Sequence, residues 1–381
     1  MARLPVLQIQ DFAQIREVTL AFGDLTVLVG AQGSGKSLAL QWLKVALDGK
    51  QVMTALKEAG NRVNDAAGII DLVFGNGMGK AWTSDSRVSF NKKSVSPQSL
   101  SRIGNGIQTA FFVPAHRSML ISDGWASPFQ KLSPDTPVVA RIFSQNLYDR
   151  FSAKGGDQLF PLDKLLKKSY REVIDAAVYH GGTVGLDQDL LHTKRLKLSH
   201  GDTKLPFMTW TAGQREFTPL LLGLYNLLPR TKVRKHKEID WVIIEEPEMG
   251  LHPQAVTAFL LLTLDLLWRG YRVVISTHSP HLLTGVWMLQ RLKAHQAKWP
   301  RVCQGLGATA GGMKEVAESA LEKDYKVFFM ELDNGGKSVA QDISNLDPDS
   351  EDGREAGWGG LTGFSSRFGE AVRQAVNEDE A

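Results

Sequence analysis

The chain has 381 residues, of which 43% are hydrophobic and 22% charged, with a formal net charge of +3. That composition describes a folded chain with a full core, in roughly two or three domains or one elaborated α/β domain, and it excludes a disordered chain and a global basic field for nucleic acid. The single cysteine, Cys303, excludes an internal disulfide framework and a cysteine-based zinc site, and it fits a reducing, cytoplasmic compartment.

Residues 4–9 are apolar but too short for the core of a secretory signal. The longest apolar runs, 219–228 and 259–268, are about half the roughly twenty residues a membrane helix needs, so a soluble protein without a membrane partner is expected.

Residues 5–12 and 18–22 read as two short strands joined by a turn, and 25–29 (LTVLV) as a third, buried strand. That strand runs into GAQGSGKS at 30–37, and a helical pattern follows through Trp42 to about residue 47. Strand, glycine-rich loop and helix in this order are the context a phosphate-binding loop requires. Gly30, Gly33 and Gly35 let the backbone curl so that its amides face phosphate oxygens, with Gln32 and Ser34 in the same loop. The helix adds the positive end of its dipole. Lys36 is placed for the β- and γ-phosphates of a nucleoside triphosphate, and the Ser37 hydroxyl for Mg²⁺.

Residues 51–206 read as a mixed insertion: a helical piece at 52–63, short strands at 69–74 and 87–90, and a β-type run at 107–113 that empties into Pro114-Ala115-His116-Arg117. From 136 to 179 the pattern is mostly helical, with Leu166, Tyr170, Val173 and Ala177 on one apolar face and Lys164, Lys167, Lys168 and Arg171 around it. A hairpin is expected around Ser199-His200-Gly201-Asp202.

After Trp210-Thr211-Ala212-Gly213-Gln214 comes an apolar helix to about 228, and then the basic loop 232–237. Residues 241–244 (WVII) form an apolar strand that ends in Glu245-Glu246-Pro247-Glu248. A helix over 253–268 and a buried strand over 271–275 follow, the latter ending in Ser276-Thr277-His278. Alternating strands and helices imply a parallel sheet with helices on its faces, and such sheets bind ligands at the carboxyl ends of their strands. Here three polar clusters fall at three strand ends. In the last hundred residues, 326–332 and 337–343 flank Asp333-Asn334-Gly335-Gly336, a hairpin signal, and 347–353 is acidic.

These motifs resemble the soluble ABC-type ATPases of the RecF, SMC and OLD-like branch. The 30–37 loop matches the Walker A element, and residues 210–214 are similar to the signature motif, with Thr211 in place of serine and Ala212 in place of the first glycine. Ile243-Ile244-Glu245-Glu246-Pro247 looks like Walker B, with Glu245 where many relatives carry aspartate, and His278 matches the switch histidine. The resemblance implies an α/β P-loop NTPase with a core at 1–50 and 207–300, the insertion at 51–206 between Walker A and the signature, and a C-terminal hairpin and helical extension at 301–381.

It further implies ATP and Mg²⁺ as cofactors and ATP hydrolysis as the reaction. Lys36, Glu246 and His278 would be catalytic: Glu246 orients the attacking water and His278 contacts the γ-phosphate. Ser37 and Glu245 would hold the metal. Thr211, Gly213 and Gln214 would complete the nucleotide site of a second subunit, so a homodimer or larger oligomer is expected. Two roles remain open on these grounds. One is a regulator paired with a nuclease or other effector protein in prokaryotic anti-phage defence. The other is a RecF-like DNA-repair clamp whose ATP cycle gates DNA binding, using the basic residues 164–171 and 232–237.

Overall fold

The fold was obtained as a computed structural model that describes residues 4–153, 158–163, 165–188, 194–228, 235–309 and 311–379, the side chains of 364–367 and 376–379 excepted. Strands β1 (Val6–Phe12) and β2 (Ile15–Ala21) form a hairpin, and β3 (Leu25–Gly30) leads through the phosphate loop into α1 (Lys36–Glu58). Then come α2 (Ala66–Phe74), β4 (Trp82–Phe90), β5 (Lys93–Ser94), β6 (Ala110–Val113), the short pair β7 (Ile121–Ser122) and β8 (Trp125–Ala126), α3 (Val138–Ser152), β9 (Gln158–Phe160) and α4 (Lys168–Ile174). Strands β10 (Thr183–Gln188), β11 (Lys194–His200) and β12 (Thr203–Pro206) precede α5 (Ala212–Leu224), β13 (Trp241–Glu245), α6 (Pro253–Arg269), β14 (Arg272–Ser276) and α7 (Pro280–Ala294). The chain continues through α8 (Pro300–Gly305), α9 (Lys314–Glu322), β15 (Tyr325–Leu332), β16 (Ser338–Asp342), α10 (Gly353–Ala356) and α11 (Gly363–Asp379).

A ten-stranded mixed sheet in the order β5-β4-β1-β2-β16-β15-β3-β14-β13-β6 organises the molecule. Its centre is parallel: β15, β3, β14, β13 and β6 all run in one direction. Period-two alternation sorts their side chains between two cores. Val27, Phe111, Val242 and Ile275 face one core, with α5, α6 and α7, while Leu28, Phe112, Ile243 and Val274 face the other, with Leu40, Trp42 and Leu43 of α1. These strands are apolar on both faces because helices cover both faces, as an α/β fold requires.

The sheet does not respect the expected division at 51, 207 and 301. Strands β4, β5 and β6 from the 51–206 stretch join it at both ends, and the C-terminal hairpin β15–β16 lies inside it, with β15 paired directly to β3. A separate four-stranded sheet, β12-β11-β10-β9, and the small pair β7-β8 hold the other strands of the insertion.

Residues 69–74, expected as a strand, form helix α2. Asp65 caps it by accepting from the Gly68 amide at 3.0 Å, and Ile69, Ile70, Val73 and Phe74 bury one helical face. The helical stretch expected over 136–179 is broken by β9, and its last turn, Asp175–Tyr179, is a π-turn. The piece expected at 38–47 and the first part of that expected at 52–63 belong to one helix, α1, which ends at Glu58 and is bent at Asp48.

That bend has a cause. Lys44 and Asp48 are fully buried and paired at 2.6 Å. Asp48 also accepts from the Thr109 hydroxyl at 2.6 Å and the Ala110 amide at 2.9 Å, while Lys44 donates to the Ala110 carbonyl at 2.8 Å. The pair therefore satisfies the start of β6 and fastens it to α1.

Candidate active site

The phosphate loop leaves β3 at Gly30, whose φ of 147° and surroundings both demand glycine: a Cβ there would lie 2.4 Å from the Met330 carbonyl oxygen of β15. Gly35 (φ 84°) starts α1, and a Cβ on it would lie 2.8 Å from Ile15 Cγ1. Ala31, Gln32 and Gly33 are exposed at the loop's crest and Ser34 is buried beneath it. Lys36 folds back over the loop, its Nζ donating to the carbonyls of Gly30 (2.9 Å) and Ala31 (2.8 Å). Burial lowers its pKa to about 8, opposed by the carboxylates of Glu246 and Glu248.

The ends of β3, β14, β13 and β6 are joined in sequence around this loop. The Thr277 amide donates to Leu28 O (3.0 Å), the Glu246 amide to Ser276 O (2.9 Å), and the Ala115 amide to Glu245 Oε2 (3.2 Å). Glu245 is buried, and burial raises its pKa to about 7 against the opposing pull of the Ala115 amide and the nearby Ser37 hydroxyl. Its Oε1 is buried without a hydrogen-bond partner. An orphaned carboxylate oxygen with the Ser37 hydroxyl nearby is a hard-oxygen donor set of the kind that would hold Mg²⁺.

Glu246 adopts a left-handed φ of 40°, uncommon for a residue with a side chain and a store of strain where it persists. That turn aims its carboxylate off the end of β13, and Oε1 lies 3.4 Å from His278 Nε2 at the end of β14. The His278 amide donates to Glu248 Oε1 at 2.6 Å, so Glu248 fixes the loop that carries the histidine.

Thr211, Gly213 and Gln214 stand at the start of α5. Thr211 caps the helix by accepting from the Gln214 amide (3.2 Å), and Gln214 Oε1 accepts from the Thr211 amide (3.1 Å), a capping box. Gln214 Nε2 donates to Val178 O at 3.0 Å, and a Cβ on Gly213 would lie 3.0 Å from Gly250 O. Thr211 is exposed. Among the described residues no hydrogen bond joins these three to the phosphate loop. Lys36, Ser37, Glu245, Glu246 and His278 are thus gathered at the carboxyl ends of neighbouring strands, and Thr211 is exposed while Gly213 and Gln214 are half-buried.

Residues 144–284 match the family model described as "AAA domain, putative AbiEii toxin, Type IV TA system". That stretch is similar to an AAA domain. The matched stretch takes in Thr211–Gln214, Glu245, Glu246 and His278. No curated protein matches the chain. Among solved structures it aligns with an Smc head bound to the C-terminal winged-helix domain of ScpA (12% identity, 90% of this chain and 98% of that one, TM-score 0.46). It also aligns with the SMC head domain from Thermotoga maritima (12%, 89% and 98%, 0.39) and with an Smc head domain with extended coiled coil bound to the C-terminal domain of ScpA, derived from Pyrococcus furiosus (11%, 90% and 97%, 0.40).

Sequence reasoning gave no role to Arg117, Glu216 or Glu248. The strand end at 114–117 reads equally as a functional loop and as a solvated one, and Arg117 in it is wholly buried. Burial lowers its pKa from the ordinary guanidinium value, with Glu216 the foremost of the carboxylates that oppose the shift. The legible signal was its place: a fourth strand end beside the Glu pair.

Proposed function

We propose that this ATPase binds ATP with Mg²⁺ and hydrolyses it at a site completed by the Thr211–Gln214 segment of a second copy. The observation that carries this reading is the convergence of Lys36, Ser37–Glu245 and Glu246–His278 on the same strand ends, with Thr211 exposed and, among the described residues, no hydrogen bond from its segment to the loop. Phosphoryl transfer asks for positioning and charge rather than covalent chemistry. Lys36 would shift its ammonium from the Gly30 and Ala31 carbonyls to phosphate oxygens. Glu246 would orient the attacking water, and His278 beside it would contact the γ-phosphate. Mg²⁺, when bound, would neutralise developing charge on the phosphates.

The cycle would regulate an effector partner, a nuclease or another toxic protein, in prokaryotic defence; the matched family's description, naming a toxin of a toxin–antitoxin system, supports this role. The DNA-clamp alternative draws less support from the surface. Lys167 donates to Gly312 O (3.0 Å) and sits over Trp268, Lys168 lies 3.7 Å from Glu172, and Arg171 and Lys235 are ion-paired with Asp163 and Asp240. Lys164 and residues 232–234 lie outside the described residues.

Measuring ATPase rate against protein concentration tests the composite site: specific activity should rise with concentration, and a constant value would sink the two-copy reading. DNA binding with and without ATP separates the two roles.

A further inference from the structure

The loop after β6 leads to a buried guanidinium that the reading above does not use. His116 (φ 49°) turns the chain inward, and Arg117 donates to the carbonyls of Pro114 (3.2 Å), Glu245 (2.9 Å) and Glu246 (3.3 Å from Nη2). Its Nε donates to the Glu216 carbonyl on α5 at 3.3 Å and lies 3.8 Å from the Glu216 carboxylate. The Ser118 hydroxyl bonds the other oxygen of that carboxylate. One planar cation, with all donors turned inward, therefore grips the two carbonyls flanking the strained Glu246 turn and the first turns of the helix that Thr211 caps.

We infer that Arg117 is a positioning residue that couples seating of the Thr211 helix against a second copy to the orientation of Glu246. The geometry favours coupling over simple packing. A buried guanidinium is costly to desolvate, and an apolar side chain would fill that volume at less expense. Its fork is rigid, so a displacement of α5 through Glu216 moves the Glu245 and Glu246 carbonyls with it. Lysine keeps the charge and cannot span both sides of the junction. The inference rests on the proposed ATP site and adds a route by which the helix with the exposed Thr211 cap acts on the water-orienting carboxylate.

Hydrogen exchange of the full chain, with and without the non-hydrolysable analogue AMP-PNP and Mg²⁺, tests it together with steady-state kinetics on Arg117→Lys and Glu216→Gln. In the unsubstituted protein the analogue should slow exchange in 30–38, 211–217 and 245–249 together. In both variants 30–38 should still be slowed, while 211–217 and 245–249 lose their joint response. Their kcat should fall about 10- to 100-fold with KM for ATP within about threefold, a split that loss of folding would not give. If Arg117→Lys fails to fold, Glu216→Gln, which keeps volume and the Ser118 bond, decides. Joint slowing and normal kcat in Glu216→Gln overturn the coupling while leaving the ATP site intact. No slowing of 30–38 in the unsubstituted protein overturns the ATP site, and the coupling with it.

Discussion

Glu246 Oε1 and His278 Nε2 lie 3.4 Å apart, one at the end of β13 and the other at the end of β14, on strands joined by the Glu246 amide to Ser276 carbonyl bond. Neither side chain can turn without changing the other's surroundings. An attacking water held by Glu246 would therefore sit against the group placed to sense the γ-phosphate.

Replacing Glu246 with glutamine keeps the shape and removes the charge. Hydrolysis should fall about 100- to 1000-fold, the range expected for losing a positioned base or a charge-stabilising group. ATP binding should persist and a nucleotide-bound dimer should accumulate, which light scattering after size exclusion would show. Hydrolysis at the unsubstituted rate would remove Glu246 from its assigned role.

Glu245 gives the site a pH dependence. Its folded pKa of about 7 exceeds that of an unfolded glutamate, so the folded state holds the extra proton between about pH 4.5 and 7. Its contribution to stability is thus greatest at low pH and is lost as pH rises through 7, with a slope of at most about 1.4 kcal/mol per pH unit. Glu245→Gln should flatten that part of a denaturation-versus-pH curve. Magnesium-dependent ATP affinity should move the opposite way and weaken below pH 7, because the protonated carboxyl is a poor metal ligand. Affinity flat from pH 6 to 8 would contradict the assignment.

Lys44→Ala leaves Asp48 charged in a dry interior, with its bonds to Thr109 and Ala110 as the only compensation. Removing one partner of such a pair costs about 3–5 kcal/mol. Urea denaturation should show a loss of that size, and a change under about 1 kcal/mol would mean that water reaches the pair.

Thr211→Ala deletes a helix cap, worth about 1 kcal/mol of stability. If the hydroxyl also serves a second copy, ATP binding by dilute protein should stay near normal while the concentration-dependent part of the ATPase rate disappears. Calorimetric titration beside a rate-versus-concentration series separates the two effects.

Much of this arrangement was legible because the chemistry is local. Residues 25–37 specify strand, loop and helix by an apolar run, three glycines and a lysine, and 241–246 specify a buried strand ending in carboxylates. Residues 69–74 were misread because five apolar residues interrupted only by Asp71 are too short a run to show a helical period, and the cap at Asp65 lay outside it. The site of β15 was illegible for another reason: its hairpin turn announces two paired strands but not that one of them will slot beside β3. Arg117 and the Lys44–Asp48 pair stayed hidden because charged side chains are mostly exposed, and only tertiary packing shows which are not.

The position of β15 has a consequence for how the molecule comes into being. The strand that bears the phosphate loop receives one of its two neighbours only from Tyr325–Leu332, some three hundred residues downstream, and Gly30 is closed in by the Met330 carbonyl of that late strand. On the ribosome, a chain not yet extended past β15 leaves β3 with a bare edge, open to mispairing with any extended segment nearby. The strand that bears the phosphate loop therefore cannot complete its pairing until Tyr325–Leu332 has been made.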